Sequence, residues 1–188
     1  MKPIIIAKDR EHLKDLIEQE IKLNGYNCDL NHINVCNVVS MQALFMFSLF
    51  DGDISQWDVS NVEHMGSMFS YSKFSGDISK WNIIKTTNMM NMFSNSIFNR
   101  DISQWDVSRV TDMGGMFQNC KFNQDLSAWK PYKANILMFF NNSLAQLPYW
   151  IKYDDLKERK KVIEAYNFNK ELNQELNNNQ NPQKKIKI

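Results

Sequence analysis

No stretch of the 188 residues approaches the roughly 18 consecutive apolar positions that a membrane-crossing helix needs, so membrane insertion is not expected. Cysteine is scarce. Cys28, Cys36 and Cys120 make an odd number at scattered spacings, which argues against a disulfide framework and fits small buried hydrophobes in a reducing compartment. The three histidines, His12, His32 and His64, fall in no zinc-like spacing with those cysteines. Among the six glycines there is no phosphate-cradling loop. An excess of charge is also missing: 22 basic and 21 acidic residues leave a net charge of +1, so no long-range field favours nucleic acid or an anionic membrane. The N-terminus, with a four-residue apolar run before charges arrive, reads as neither a secretion signal nor a lipid anchor, and the expected location is cytoplasmic.

What the chain does contain is a repeat. Asp29, Asp53, Asp77, Asp101 and Asp125 recur every 24 residues. In the same register stand Leu30, Ile54, Ile78, Ile102 and Leu126, and then Ile33, Trp57, Trp81, Trp105 and Trp129. Val35, Val59, Ile83 and Val107 form the next row, which Pro131 ends. Met41, Met65, Met89 and Met113 are followed by the paired rows Leu44, Met68, Met92, Met116 and Phe45, Phe69, Phe93, Phe117. Tyr26, Phe50, Phe74, Phe98 and Phe122 close each copy. One 24-residue copy cannot bury enough apolar surface to order itself, so neighbouring copies are expected to stack, each side chain on its counterpart.

Within a copy, Ile54-x-x-Trp57-x-Val59 has the spacing of a short strand, and Val62, Met65, Met68 and Phe69 have that of a short helix or 3-10 turn. Ser60 and Glu63 resemble a capping box at its start, Ser108 with Thr111 a weaker one, and Ile84 replaces the cap in the third copy. Five like charges along a stack would repel. The aspartates are therefore read as acceptors for backbone N–H groups in Asx turns. Calcium is the sharper alternative, but one acid per loop supplies too few oxygens, and no metal or other cofactor is expected.

Residues 1–25 read as an N-terminal β-α cap: Ile4 to Ile6 as a strand, Asp9 as an N-cap, and Leu13, Leu16, Ile17 and Ile21 as a helical stripe ending at Gly25. Residues 26–150 hold five to six repeats, with Leu137 to Phe140 echoing the Met-Phe segment and Leu147-Pro-Tyr-Trp150 forming a shortened last unit. In 151–176, Leu156, Val162, Ile163, Phe168, Leu172 and Leu176 suggest one or two capping helices, and 177–188 reads as a disordered tail.

The segments FNRDISQWDVSRVTDMGGMF and FNQDLSAW closely resemble the repeat of the BspA-like, DUF285 class of bacterial leucine-rich-repeat proteins, over about residues 26–140. The resemblance implies an α/β, right-handed leucine-rich-repeat solenoid with short parallel strands on one side, short helices or 3-10 turns on the other, and caps at both ends. It also implies binding of macromolecules, since family members are best known as surface-exposed or lipid-anchored binding proteins.

Single-copy chemistry is what an enzyme needs, and the repeat supplies the opposite. The row Ser55, Ser79, Ser103, Ser127 is structural on this reading, because a nucleophile is needed once and a ladder in every copy. His32 and Cys36, four apart, have no orienting carboxylate in sequence to make a catalytic pair, and the Trp and Met rows read as core rather than as a cofactor slot. Binding in a repeat protein belongs to exposed positions where copies differ. These include His32, Ala128, Asn34, Asn37, Asn61, Lys85 and Lys133. The candidate partner-binding set is Gln56, Asp58, Lys80, Asn82, Gln104, Asp106, Arg109 and Lys130. The expected function is a non-enzymatic interaction scaffold with a protein partner, and self-association through an uncapped edge is a further possibility. The alternative is a cell-surface adhesin-type protein that reaches the surface without a classical signal peptide.

Overall fold

A computed structural model of the chain describes residues 2–143 and 146–180. Its regular elements are strand β1 (Ile5–Ile6), helix α1 (Arg10–Asn24), strand β2 (Ile33–Asn34), a 3-10 helix (Tyr149–Lys152) and helix α2 (Leu156–Gln180). Strands β1 and β2 pair in parallel, Ile5 with Ile33 and Ile6 with Asn34, as a two-stranded sheet. The solenoid of repeated strands and helices expected from the sequence is not what forms, and the reason lies in the backbone of the repeat.

Ser67 and Tyr71 have positive φ, as do Asn91 and Asn95, Gly115 and Asn119, and their equivalents Ala43, Phe47, Met138 and Asn142. A left-handed residue every fourth position stops any helix, even though the apolar spacing mimics one. The amides take turns instead. Met65, Ser67, Phe69 and Tyr71 donate to Asn88, Met90, Met92 and Ser94 of the next repeat, while Met68, Ser70 and Ser72 donate back three residues to Met65, Ser67 and Phe69. No amide is wasted. The same alternation runs through residues 41–48, 89–96 and 113–120. Inter-repeat pairing therefore appears as single parallel bridges, Ser40 to His64, His64 to Asn88, Asn88 to Asp112 and Asp112 to Asn135, rather than as strands. The Ser60–Glu63 pair caps no helix, because the Glu63 amide donates to the Val39 carbonyl of the preceding repeat.

The segment expected to be a strand is also a chain of turns. Trp57 donates back to Ile54 and Val62 to Val59, and the same pairs recur as Trp81 to Ile78, Trp105 to Ile102 and Trp129 to Leu126. Side chains set the corners. Asp29, Asp53, Asp77, Asp101 and Asp125 each accept the amide two residues on, at 2.8 to 2.9 Å, forming Asx turns. A second row does the same with Asn34, Asp58, Asn82 and Asp106, and a third with Asn88, Asp112 and Asn135.

Inside, Phe45, Phe69, Phe93 and Phe117 lie ring on ring, 5.5 to 5.7 Å between successive centroids, beside the column Phe50, Phe74, Phe98 and Phe122. The tryptophans behave differently from the expected ring-on-ring ladder. Their rings meet the phenylalanines Phe45, Phe69 and Phe93, and each indole N–H donates to a carbonyl of the preceding repeat: Trp57 to Leu30, Trp81 to Ile54, Trp105 to Ile78 and Trp129 to Ile102. Trp150, from the 3-10 helix, occupies the next position and donates to Leu126.

The ends are closed by helices. In α1, Asp9 accepts the His12 amide, Gly25 (φ 81°) ends the helix, Leu13 and Ile17 are buried, and Arg10 donates twice to the Gln42 carbonyl of the first repeat. At the other end, Arg159 of α2 is fully buried and donates to the carbonyls of Pro131, Ala134, Tyr153 and Asp154. Helix α2 continues to Gln180, so the first four residues of the expected tail are helical, and 181–188 lie outside the described residues.

Hydrogen bonds from the serine two residues on hold Asp53, Asp58, Asp77 and Asp125 below the usual carboxylate range. A carboxylate whose folded pKa is depressed stabilises the fold above its unfolded pKa, and that contribution is lost as pH falls through the folded value. Stability measured by urea unfolding should therefore fall below about pH 4. Replacing Asp53, Asp77 and Asp125 together by Asn, which keeps the acceptor oxygen and removes the charge, should flatten that acid limb while the protein stays folded at pH 7.

Candidate surface on the variable face

All eight candidate residues are exposed, yet they are not equivalent. Asp58, Asn82 and Asp106 each use Oδ1 to accept the amide of Ser60, Ile84 or Ser108, so they shape the corner of their own repeat. Gln56 and Gln104 point their amide nitrogens at the neighbouring hydroxyls of Ser55 and Ser103. Lys80, Arg109 and Lys130 make no hydrogen bond or ion pair among the described residues, and so are the charges the fold leaves free. The aspartate row, weighed earlier as a calcium site, has its Oδ1 atoms taken by backbone amides. Among the described residues no group of three or more His, Cys, Asp or Glu could hold a metal ion.

Three open grooves bring the candidates together. One, of about 730 Å³, is lined by Asp77, Ser79, Lys80, Arg100, Asp101 and Gln104. A second, of about 500 Å³, places Gln104, Asp106 and Lys130 beside Tyr132 and Ala128. In the third, of about 230 Å³, Gln56 and Asp58 meet Ile4 of the N-terminal segment. Arg109 and Asn82 line none of these. Two residues went unmarked by the sequence reading. Arg100, whose Nε donates to the Ser75 carbonyl, shares the first groove with Lys80, and Tyr132 shares the second with Lys130. Arg100 could have been found, since the position before each repeat aspartate runs Cys28, Gly52, Gly76, Arg100, Gln124 and is one where copies disagree. Arg100 and Lys80 also help to lower the Asp77 pKa, behind the Ser79 hydrogen bonds and against the opposing effect of burial.

His32 and Cys36 each have a different partner. His32 Nε2 lies 3.2 Å from Glu20 of α1, while the Cys36 thiol faces Asn37. Cys120 is buried between Ser96 and Phe98, and desolvation pushes its thiol pKa up, away from the reactive thiolate. The serine row spends its amides on the aspartates.

Stacked repeats with regular corners, hydrogen-bonded tryptophans and a polar face that varies from copy to copy define a repeat protein built from tight turns. A family model described as Mycoplasma protein of unknown function, DUF285, matches residues 12–129 and, in a second overlapping match, 73–180, and the chain belongs to that family. No curated protein and no solved structure matches it.

The division between corner residues and free cations is testable by chemical denaturation. Lys80→Glu, Arg109→Glu and Lys130→Glu should each change stability by less than about 0.5 kcal/mol. Asp58→Ala and Asp106→Ala, which leave a corner amide without its acceptor, should each cost about 1 kcal/mol. An Arg109→Glu loss as large as that of Asp106→Ala would assign Arg109 to the framework instead.

Proposed function

We propose that this chain is a non-enzymatic binding scaffold that engages a protein partner through the variable polar face, with Lys80, Arg109 and Lys130 as its principal contacts and Gln56, Gln104, Arg100 and Tyr132 beside them. The observation that carries the reading is the split described above. On a face where the fold commits Asp58, Asn82 and Asp106 to corners, three cations are left uncommitted, and two of them border grooves. Repeat proteins bind through surface positions that packing does not dictate. Open, polar grooves of this kind suit a broad protein surface better than an enclosed small molecule. Free cations at their edges favour a partner with acidic side chains, since complementary charge speeds encounter and rejects mismatched partners.

The test is affinity capture from the native organism with wild-type chain and with the Lys80→Glu, Arg109→Glu, Lys130→Glu triple variant, followed by identification of the bound proteins. Loss of a specific partner in the triple variant, with helix content and unfolding midpoint retained, is the expected result. Capture of the same set by both proteins would remove the variable face from consideration.

A further inference from the structure

Helix α2 turns one face toward the repeats and an apolar face away from them. Arg159 and Ile163 are buried against the repeats, Tyr166 stacks on Tyr149 with ring centroids 4.1 Å apart, and Lys170 lies close enough to Asp125 to help lower its pKa. At about 100° per residue, these fall on one side of the helix. Ala165, Phe168, Leu172 and Leu176 fall on the opposite side. Phe168 is 66% exposed, Leu172 43% and Leu176 49%, and every residue from Phe168 to Asn177 is exposed. An apolar stripe of about three turns on the far face of a helix has no role in the fold that carries it.

The charges beside the stripe say what covers it. One flank carries Lys157 in its first half and Glu171 and Glu175 in its second, with Lys161 in line with the stripe one turn before Ala165; the other carries Glu158, then Asn169 and Asn173. When two helices pair antiparallel about a two-fold axis, like flanks face each other, so the basic first half of one meets the acidic second half of the other. In a parallel pair the acidic second half would face the asparagines instead, leaving Glu171 and Glu175 without a basic partner. We propose that two copies of this chain associate through the far faces of their α2 helices, antiparallel, with the two Phe168 side chains at the two-fold axis. In that register Ala165 packs opposite Leu172 of the second copy, and Lys161 lies beside Glu175 and Leu176 of the second copy. Glu164, which falls between the two charged groups, already pairs with Lys160 on its own helix at 3.7 Å. The interface is isologous, closing on itself as a dimer rather than growing into a filament. One helix pair lies at the small end of specific interfaces, so the dissociation constant is on the order of 10 μM.

Sedimentation equilibrium of the full chain over roughly 1–200 μM, bracketing that constant, reads this directly. The expected result is a shift from the 22.2 kDa monomer to twice that mass. Leu172→Lys should abolish the shift without loss of helix content, since Leu172 is exposed in the single chain. Lys161→Glu or Glu175→Lys alone should raise the dissociation constant about tenfold, and the two together should restore it. A wild-type chain that stays monomeric throughout, a dimer indifferent to Leu172→Lys, or a charge swap that fails to restore pairing would each overturn the proposal.

Discussion

Every second amide in the Met-Phe segment leaves its own repeat and donates to the next one. That requirement shapes nearly everything else in the molecule. An amide that points across to a neighbour cannot also serve a helix, so the intervening amides close three-residue turns, and alternate corners pass through the left-handed region at residues such as Ser67, Tyr71, Asn91 and Asn95. Left-handed backbone costs on the order of 1 kcal/mol for a non-glycine residue, and it persists here because hydrogen bonds on both sides fix it. Most backbone amides of the segment are thereby paired without strands or helices, as burial beside columns of phenylalanine demands.

Side chains complete what the backbone leaves open. Asp and Asn at three corners of a repeat accept local amides, and tryptophan N–H groups, which would otherwise be buried unpaired, reach back to carbonyls of the preceding repeat that also accept a turn amide. At the two ends, where no further repeat exists, an arginine substitutes for it. Arg10 reaches Gln42 from α1, and buried Arg159 gathers four carbonyls beside α2. A guanidinium, with five donors in a rigid fork, suits a place where several acceptors converge.

The period, the core rows and the ends of α1 could be read from the sequence, because each has a signal with one physical meaning. A Trp or Phe every 24 residues has to be buried between copies, although only the phenylalanines lie ring on ring, and Asp9 and Gly25 bracket an apolar stripe. The Asx role of the aspartates was legible for the same reason. Secondary structure inside the repeat was not. Val62, Met65, Met68 and Phe69 have helical spacing because three-residue turns put side chains inward at nearly the same interval. The left-handed positions that distinguish the two were signalled only by Asn91, Asn95, Gly115, Asn119 and Asn142, and were hidden under Ala43, Phe47, Ser67, Tyr71 and Met138. On the candidate face, exposure could be inferred from variation between copies. The commitment of Asp58, Asn82 and Asp106 to corners depended on turn geometry that the strand expectation concealed.

The resulting body has two surfaces that its own stability does not need: the cations of the variable face and the far side of α2. Both depend on the inter-repeat amides, which hold the corners in register and give α2 a rigid end to lie on. Native-state amide hydrogen exchange measures those bonds one by one. If the alternation is right, Met89, Phe93 and Asn95, which donate to Asp112, Met116 and Gln118, exchange only through global unfolding. Met138 and Asn142, whose amides have no partner among the described residues, should exchange freely. Exchange of Phe93 and Asn95 as fast as that of Met138 and Asn142 would contradict the stacked-turn structure.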